Sequence, residues 1–563
     1  MADFVYIDGM PIQIEDEKNL LQLIRKAGIK LPTFCYHSDL SVYGACRMCM
    51  VENERGQLEA ACSTPPRPGM SVKTNTERLR KYRKMILELL LANHCRDCTT
   101  CENNGQCKLQ QLAERYHIEG VRFPNTAKDH VDTSSVSILR DASKCILCGD
   151  CVRMCNEIQN VGAIDFAHRG AKTTISTAFD IPIAQSPCVG CGQCAAVCPT
   201  GAIVVRNNTD KVWHALSDNA IKTSVQVAPA VRVAIGKEFG LNEGENAMGK
   251  IVSALRRIGF DEVYDTVTGA DLTVLEESEE FLGRIADNEN LPLFTSCCPA
   301  WVNYCEKKHP ELLPNISTCR SPMQMFASLL KEESKQGSRK LFHVAIMPCT
   351  AKKFEAIRPE FQEDGNPHVD AVLTTQELIR MIKEAGVVFE DLEPEAVDNP
   401  FGQASGAGVI FGVTGGVTEA VLRRVSSDKS RTHLQTITHL GVRGNAGVKE
   451  FDLPYGDKVL HIAVVSGLSN AESIIKRMEK GEHFDLVEVM ACPGGCVSGA
   501  GQPFAHLDGK LARGKGLYTT DKVSTIRRSE ENPVMLSLYN GILKGKVHKL
   551  LHVHYTKHEG EQK

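Results

Sequence analysis

The chain has 563 residues, enough for several domains of about 100–200 residues each. Its 42% hydrophobic and 24% charged content is that of a folded globular protein, and a net charge of −4 gives no basic footprint for nucleic acid. No stretch reaches the ~18 apolar residues of a membrane span, and residues 1–9 lack a basic region followed by an apolar core, so a cytoplasmic protein is expected.

The 23 cysteines are the compositional outlier. A reducing compartment disfavours disulfides, and an odd number cannot all pair within one chain. Metal binding is therefore the expectation.

In chain order, residues 4–8 and 10–14 read as strands, and residues 19–27 as an amphipathic helix stopped by Gly28. Cys35, Cys46, Cys49 and Cys62 follow, with C-x10-C-x2-C-x12-C spacing. That spacing is close in kind to a [2Fe–2S] ferredoxin. Four thiolates also suit zinc, but the hairpin-then-helix opening favours the iron–sulfur reading. Residues 76–93 read as one helix. Leu79, Tyr82, Met85, Ile86, Leu89 and Leu90 recur on one side, with Arg78, Arg80, Lys81, Arg83 and Lys84 on the rest. Such a basic surface is either solvated or a landing place for an acidic partner such as a ferredoxin. Next come His94, Cys95, Cys98, Cys101 and Cys107, five candidates for four positions. Spacing does not choose between His94 and Cys95.

Cys145, Cys148, Cys151 and Cys155 form C-x2-C-x2-C-x3-C, and Cys188, Cys191, Cys194 and Cys198 repeat it before Pro199. In this two-cluster ferredoxin pattern each fourth cysteine ligates the other cluster. One [4Fe–4S] cluster is then held by Cys145, Cys148, Cys151 and Cys198, the other by Cys188, Cys191, Cys194 and Cys155.

After about residue 210, apolar strand patterns alternate with amphipathic helices. Strands are expected at 223–227, 291–295, 341–347, 409–413, 461–465 and 486–490, with helices such as 246–258 and 470–480. The alternation predicts α/β architecture with mostly parallel strands. Three of these strands run into cysteines: Cys297 and Cys298, Cys349, and Cys492 with Cys496. Ligands of open α/β sheets bind outside the carboxyl ends of strands, so these five cysteines can converge. Pro299, Pro348 and Pro493 stop the strands, and Gly494 and Gly495 let the chain wrap between two ligands. Cys305 and Cys319, outside these motifs, read as buried structural residues. The 412–416 segment lacks the Lys-Ser/Thr of a phosphate loop and reads as close backbone packing.

The motifs Thr295-Ser296-Cys297-Cys298-Pro299-Ala300-Trp301, Met347-Pro348-Cys349-Thr350-Ala351-Lys352-Lys353 and Met490-Ala491-Cys492-Pro493-Gly494-Gly495-Cys496 closely resemble the three signatures of the [FeFe]-hydrogenases. The resemblance covers nearly the whole chain, and the front clusters are similar to those of the larger members. It implies a reversible enzyme of anaerobic hydrogen metabolism that interconverts protons, electrons and hydrogen. The implied cofactors are an H-cluster, three accessory [4Fe–4S] clusters and one [2Fe–2S] cluster. The H-cluster is a [4Fe–4S] cubane joined to a two-iron unit bearing carbon monoxide, cyanide and a bridging dithiolate amine.

By the same resemblance, Cys298, Cys349, Cys492 and Cys496 hold the cubane, with Cys496 the bridge. Cys297 stays unligated and passes protons. Lys352 meets one cyanide, Ala228 and Pro229 line the other, and Met347 and Met490 pack around the two-iron unit. His94 ligates with Cys98, Cys101 and Cys107, leaving Cys95 spare. Glu277, Ser317, Glu280 and Arg284 form a proton relay, although an acidic run such as 276–280 is ordinarily an exposed helix face.

The implied fold class is an α+β multidomain chain. It has a [2Fe–2S] ferredoxin-like β-grasp domain (1–78), a single-cluster segment (79–125), a two-cluster ferredoxin domain (126–209), an α/β catalytic domain (210–514) and a helical tail (515–563). The tail carries His548, His552, His554 and His558, for which docking on the catalytic domain is favoured over metal binding. Expected partners are a ferredoxin or an NAD(P)H-oxidising flavoprotein subunit, and H-cluster maturation proteins. The front motifs also resemble an iron–sulfur subunit of respiratory NADH dehydrogenase. A non-catalytic electron carrier or sensor is the rival from another class.

Overall fold

Strands β1 (Phe4–Ile7) and β2 (Met10–Gln13) pair antiparallel across Asp8 and Gly9, both at positive φ (49° and 87°), as a tight hairpin requires. The structure is a computed structural model and describes residues 3–335, 337–426 and 436–556. It divides into two units. One comprises residues 1–158, 162–188 and 193–204; the other comprises 159–161, 189–192 and 205–563.

In the first unit the hairpin joins β3 (Met50–Asn53), β4 (Leu58–Ala60) and β5 (Ser71–Lys73) in the order β2-β1-β5-β3-β4. Helix α1 (Leu20–Lys26) is capped by Asn19, whose Oδ1 accepts from the Gln22 N–H at 3.1 Å. Its buried Leu20, Leu21, Leu23 and Ile24 pack with Val5, Ile7, Val51 and Val72. Helix α2 (Glu77–Ala92) presents a different face from the one expected. Met85 and Leu89 are each 46% exposed, while Leu87 is buried. Arg83 is buried too, and donates to the carbonyls of Met48 (3.2 Å), Met50 (2.7 Å) and Thr74 (2.9 Å). It pins the helix to the sheet and is not part of a solvated basic surface. Helix α3 (Lys108–Arg115) follows Cys107 directly.

The second unit contains two four-stranded sheets, whose strands are mostly parallel. The first, in the order β7-β6-β9-β10, is built of β6 (Ile221–Val227), β7 (Glu262–Asp265), β9 (Lys340–Met347) and β10 (Ala371–Thr374), all parallel. The second runs β8-β13-β12-β11. In it β8 (Leu293–Phe294), β12 (Lys458–Ser466) and β13 (Leu486–Met490) are parallel, and β11 (Val448–Tyr455) is an antiparallel edge strand. The helices that bear on the site are α4 (Val267–Asp287), α5 (Pro299–Lys308), α6 (Pro322–Ser334), α7 (Ala351–Ala356) and α8 (Gly416–Val425).

The strand expected at 409–413 is absent. Gly406–Val409 is helical and Ile410–Gly412 is a 3₁₀ turn. The Ser405 hydroxyl accepts from the Gly408 N–H at 3.0 Å, and this cap overrides the β-branched composition.

Helices α9 (Leu507–Val523), α10 (Pro533–Asn540) and α11 (Val547–Leu551) form the tail. Met535, Leu538, Leu543, Leu550 and Leu551 share one core with Tyr264, Leu272, Met325 and Phe326, so the tail docks within the second unit. His558 lies outside the described residues. Among the described residues no helix is long and apolar enough to cross a membrane.

Candidate active site

The five motif cysteines leave the carboxyl ends of strands in both sheets. Cys297 and Cys298 follow β8, and Cys492 and Cys496 follow its parallel neighbour β13. Cys349 follows β9 of the other sheet. Cys298 caps α5 with Pro299 at the first helical position, which fixes where that thiol stands. The Ala491 N–H points at Cys298 Sγ at 3.5 Å. Gly494 (φ 85°) and Gly495 (φ 92°) turn the chain back between Cys492 and Cys496. A Cβ on Gly495 would stand 2.5 Å from the Thr414 nitrogen, so no larger residue fits there.

The thiols act on one another. Burial pushes Cys492 well up, followed by Cys349, Cys496, Cys298 and Cys191. Burial, then Cys298, pushes Cys349 up to about 11, and Cys496 rises from burial, then Cys349 and Cys298. Such a group cannot ionise unaided. It needs bound positive charge, which is the donor set an iron–sulfur cluster takes. The residues present therefore fit a cubane.

Cys297 is raised by burial first, then by Glu277 and Cys298. Lys352, in the first turn of α7, donates to Glu355 (2.7 Å) and to the Cys297 carbonyl (3.3 Å). Burial pulls its pKa down, but Glu355, Cys349 and Cys297 outweigh this and keep the ammonium charged. Neither lysine of the motif is solvated; Lys353 is buried against Glu377 at 2.9 Å. Ala228 and Pro229 are buried just beyond β6, and Ala228 N–H donates to Ile346 at 3.0 Å. Met490 packs among Ala270, Phe411 and Val417 beside Cys297, Cys298 and Cys496. Met347 packs with Ala228, Val231 and Met323 in the core of the parallel sheet.

The acidic run on α4 is not a plain solvated face. Glu277 is fully buried, and neither carboxyl oxygen has a partner at hydrogen-bonding distance. Burial, then Glu280, pushes it up to about 8, while the nearby Ser317 hydroxyl and Ser296 N–H oppose the rise. Ser317 Oγ donates to Glu280 Oε2 at 2.9 Å, and Arg284 Nη2 reaches Glu280 Oε1 at 2.6 Å. Glu277 thus acts on Cys297 electrostatically, while Ser317, Glu280 and Arg284 are joined by hydrogen bonds.

Glu277→Gln keeps the shape and removes the titrating group, so turnover should fall ~10²–10⁴-fold. The variant should also be more stable at neutral pH. An unfolded chain ionises this carboxyl above its ordinary value of 4.5, whereas the folded chain holds the proton to about 8. Stability is therefore lost as pH rises through that window, by about 3 kcal/mol at pH 7. Thermal melts from pH 4 to pH 8 should show the variant pulling above the wild type as pH rises. A constant offset would contradict the assigned protonation state.

The accessory cysteines gather as well. Cys46 is pulled down chiefly by a thiol hydrogen bond from Cys35, and Cys49 by one from Cys62. The Cys46 N–H donates to Cys35 Sγ (3.3 Å) and the Phe34 N–H to Cys46 Sγ (3.4 Å). Cys145, Cys148, Cys151 and Cys198 line one pocket. Cys155 Sγ accepts from the Ala163 N–H at 3.4 Å, and Cys188 and Cys194 pack around the same core. Cys191 sits in the 189–192 segment of the catalytic unit, where the Thr350 hydroxyl donates to the Gly190 carbonyl at 2.8 Å. Cys98, Cys101 and Cys107 act on one another, and Cys95 acts on Cys98. His94 Nε2 is buried with no hydrogen-bond partner, as suits a ligand atom. Gly201 leaves room for Cys101, whose Sγ would be 2.6 Å from a Cβ there.

Sequence reasoning missed Glu355 and Glu488. Glu355 lies three residues after Lys352, a helical spacing that could have exposed the pair. Glu488 sits within the wholly buried Leu486–Met490 strand and accepts from the N–H groups of Gly415 (2.6 Å) and Thr418 (2.8 Å) at the start of α8. A charged residue in an otherwise apolar strand was the available signal.

These features define an iron–sulfur oxidoreductase with a buried thiol centre. The C-terminal domain of the iron-only hydrogenase large subunit matches residues 221–500, and the iron hydrogenase small subunit matches 508–558. A 2Fe–2S binding domain matches 4–77, the NADH-ubiquinone oxidoreductase-G iron–sulfur region 83–122, and a 4Fe–4S dicluster domain 144–202. The NADP-reducing hydrogenase subunit HndD of Solidesulfovibrio fructosivorans is 41% identical over 99% of both chains. Iron hydrogenase 1 of Clostridium pasteurianum is 36% identical over 98% of this chain and 100% of that one. The [FeFe]-hydrogenase of Chlamydomonas reinhardtii superposes with a TM-score of 0.53 at 37% identity, covering 62% of this chain and 98% of that one. The chain belongs to the iron-only, or [FeFe]-, hydrogenases.

Proposed function

We propose that the chain interconverts two protons and two electrons with molecular hydrogen at an H-cluster held by Cys298, Cys349, Cys492 and Cys496. The convergence of these four thiols from two sheets, with Cys297 and Lys352 beside them, carries the reading. When bound, the cofactor supplies the making and breaking of the hydrogen–hydrogen bond. The chain's residues hold it, exclude water and move protons. Lys352 keeps a positive charge at the pocket wall, where an anionic cyanide would sit, and Ala228, Pro229, Met347 and Met490 keep the surroundings apolar. Cys297 exchanges its Sγ proton with Glu277, and Ser317 and Glu280 pass it on toward Arg284.

Cys35, Cys46, Cys49 and Cys62 would hold a [2Fe–2S] cluster, His94, Cys98, Cys101 and Cys107 a further cluster, and the dicluster cysteines two more; when bound, these clusters would supply one-electron transfer. Cys191, whose charge reaches Cys492, supports exchange at that end. The corresponding division is 1–78, 79–125, 126–209, 210–514 and 515–563.

For the electron carrier, a ferredoxin suits the accessory clusters. A second reading is favoured by the HndD likeness and by the NADH-ubiquinone oxidoreductase-G match: the chain is the hydrogen-handling subunit of an NAD(P)-linked complex. Its partner is then a flavoprotein that oxidises NAD(P)H. Purification from native extract should bring down that flavoprotein, with hydrogen evolution driven by NAD(P)H. Full turnover with ferredoxin alone, and no flavoprotein recovered, would overturn the second reading.

A further inference from the structure

The relay does not end only at Arg284. Glu280 Oε2, which takes the Ser317 hydroxyl, also accepts from the Thr318 hydroxyl at 3.2 Å. Thr318 Oγ1 is in turn 2.9 Å from His552 Nδ1, and His552 Nε2 is 2.9 Å from Glu276 Oε2. The Tyr539 hydroxyl closes on the other oxygen of Glu276. An unbroken line of hydrogen-bonding groups therefore leads from Glu280 to a histidine of the tail.

The placement of this histidine is built. Cys319 and His552 form an antiparallel bridge. The Val553 N–H donates to Thr318 (2.7 Å), the Arg320 N–H to Leu551 (2.8 Å), and Arg320 Nε to the His552 carbonyl (2.9 Å). The imidazole is thus held at both nitrogens and through its backbone. Beside it, at 4.9 Å between ring centres, stands His548, which is exposed. The titratable and charged groups facing His552 are Glu276 and Glu280 of α4, Cys319, Arg320, Tyr539 of α10 and His548 of α11.

Glu280, Cys319 and His552 also bring ligand atoms within 4.8 Å of one another, the spacing of a metal site. Those atoms are already engaged. Glu280 holds Arg284, Ser317 and Thr318, and both nitrogens of His552 have partners. The arrangement serves protons better than a metal ion.

We propose that His552 is a second port of the proton relay, loaded from solvent beside His548 and discharging through Thr318 into Glu280. The inference rests on the reading of Glu277, Ser317 and Glu280 as the relay. In the inward hop the Nδ1–H bond of the imidazolium breaks as an O–H bond forms at Thr318. The hydroxyl's own proton passes to Glu280 Oε2, and a neutral imidazole remains with its proton on Nε2, held by Glu276. No electron moves. Glu276 and Tyr539 position the ring, and His552 is the group that gains and loses the proton.

The test uses the matured full-length enzyme, with infrared bands of metal-bound carbon monoxide and cyanide checked in every variant. His552→Gln and Thr318→Val should each slow hydrogen turnover by roughly three- to tenfold, less than the ~10²-fold loss of an indispensable proton-transfer group, because the Arg284 end stays open. His552→Gln should remove one ionisation from the pH–rate profile, and Thr318→Ser should restore the wild-type rate. With Arg284→Ala the losses should exceed the product of the single effects. If Thr318→Val fails to load cofactor, His552→Gln decides. Unchanged rates and pH profile for His552→Gln in the Arg284→Ala background, while Glu280→Gln collapses turnover, would overturn the port and leave the relay standing. Normal turnover by Glu280→Gln would overturn both.

Discussion

Cys297→Ala should abolish hydrogen turnover and leave the cofactor assembled. The two neighbouring cysteines divide the work. Cys298 acts on Cys349, Cys492 and Cys496, while, after burial, the charge that raises Cys297 most is that of Glu277, ahead of Cys298. On the proposed assignment Cys297 is an unligated thiol that can hold a proton beside Glu277, and alanine cannot. The expected fall is at least ~10²–10⁴-fold. Infrared bands of metal-bound carbon monoxide and cyanide should persist, because none of the four proposed cubane ligands has changed. Near-normal hydrogen evolution by the variant would remove Cys297 from the mechanism.

Cys496→Ala should act differently, taking away both turnover and the infrared bands. Cys496 is raised by burial, then by Cys349 and Cys298, so its thiolate persists only where metal charge offsets that repulsion. Cys305 is the control. It is buried in α5 away from the centre, and Cys305→Ala should retain turnover at a cost in stability of about 1 kcal/mol for the small cavity. A Cys496→Ala protein with intact bands would mean that another group bridges to the two-iron unit.

The site was more legible than the fold around it. Cysteine spacing is a local property, and so is a Pro or Gly that stops a strand beside a ligand. The five strand-end cysteines could therefore be read as one centre before any coordinates. Which strands pair is a long-range matter. The alternation from residue 210 onward carries no mark that β9 belongs to one sheet and β8 with β13 to the other, nor that β11 runs antiparallel at the edge.

Local composition misled in two places. The run at 409–413 has β-branched and aromatic residues, yet a serine cap and flanking glycines make it helical. On α2, helical periodicity placed Met85 and Leu89 inward, but the buried Arg83, satisfied by three carbonyls, turns the helix so that Leu87 packs instead. The carboxylates proposed for the relay needed the family likeness, because a run of four glutamates in five residues resembles a solvated face until Glu277 is seen to be wholly buried. The link from Glu280 to His552 spans 272 positions (280 to 552) and exists only because the tail folds back onto the segment after Ser317.

The most direct test of the account is an infrared spectrum of the matured full-length protein, recorded with its hydrogen turnover. Bands from metal-bound carbon monoxide and cyanide, present in active protein and lost in Cys496→Ala, are the predicted result. A fully matured protein that carries its accessory iron–sulfur clusters but shows neither those bands nor hydrogen turnover would contradict it.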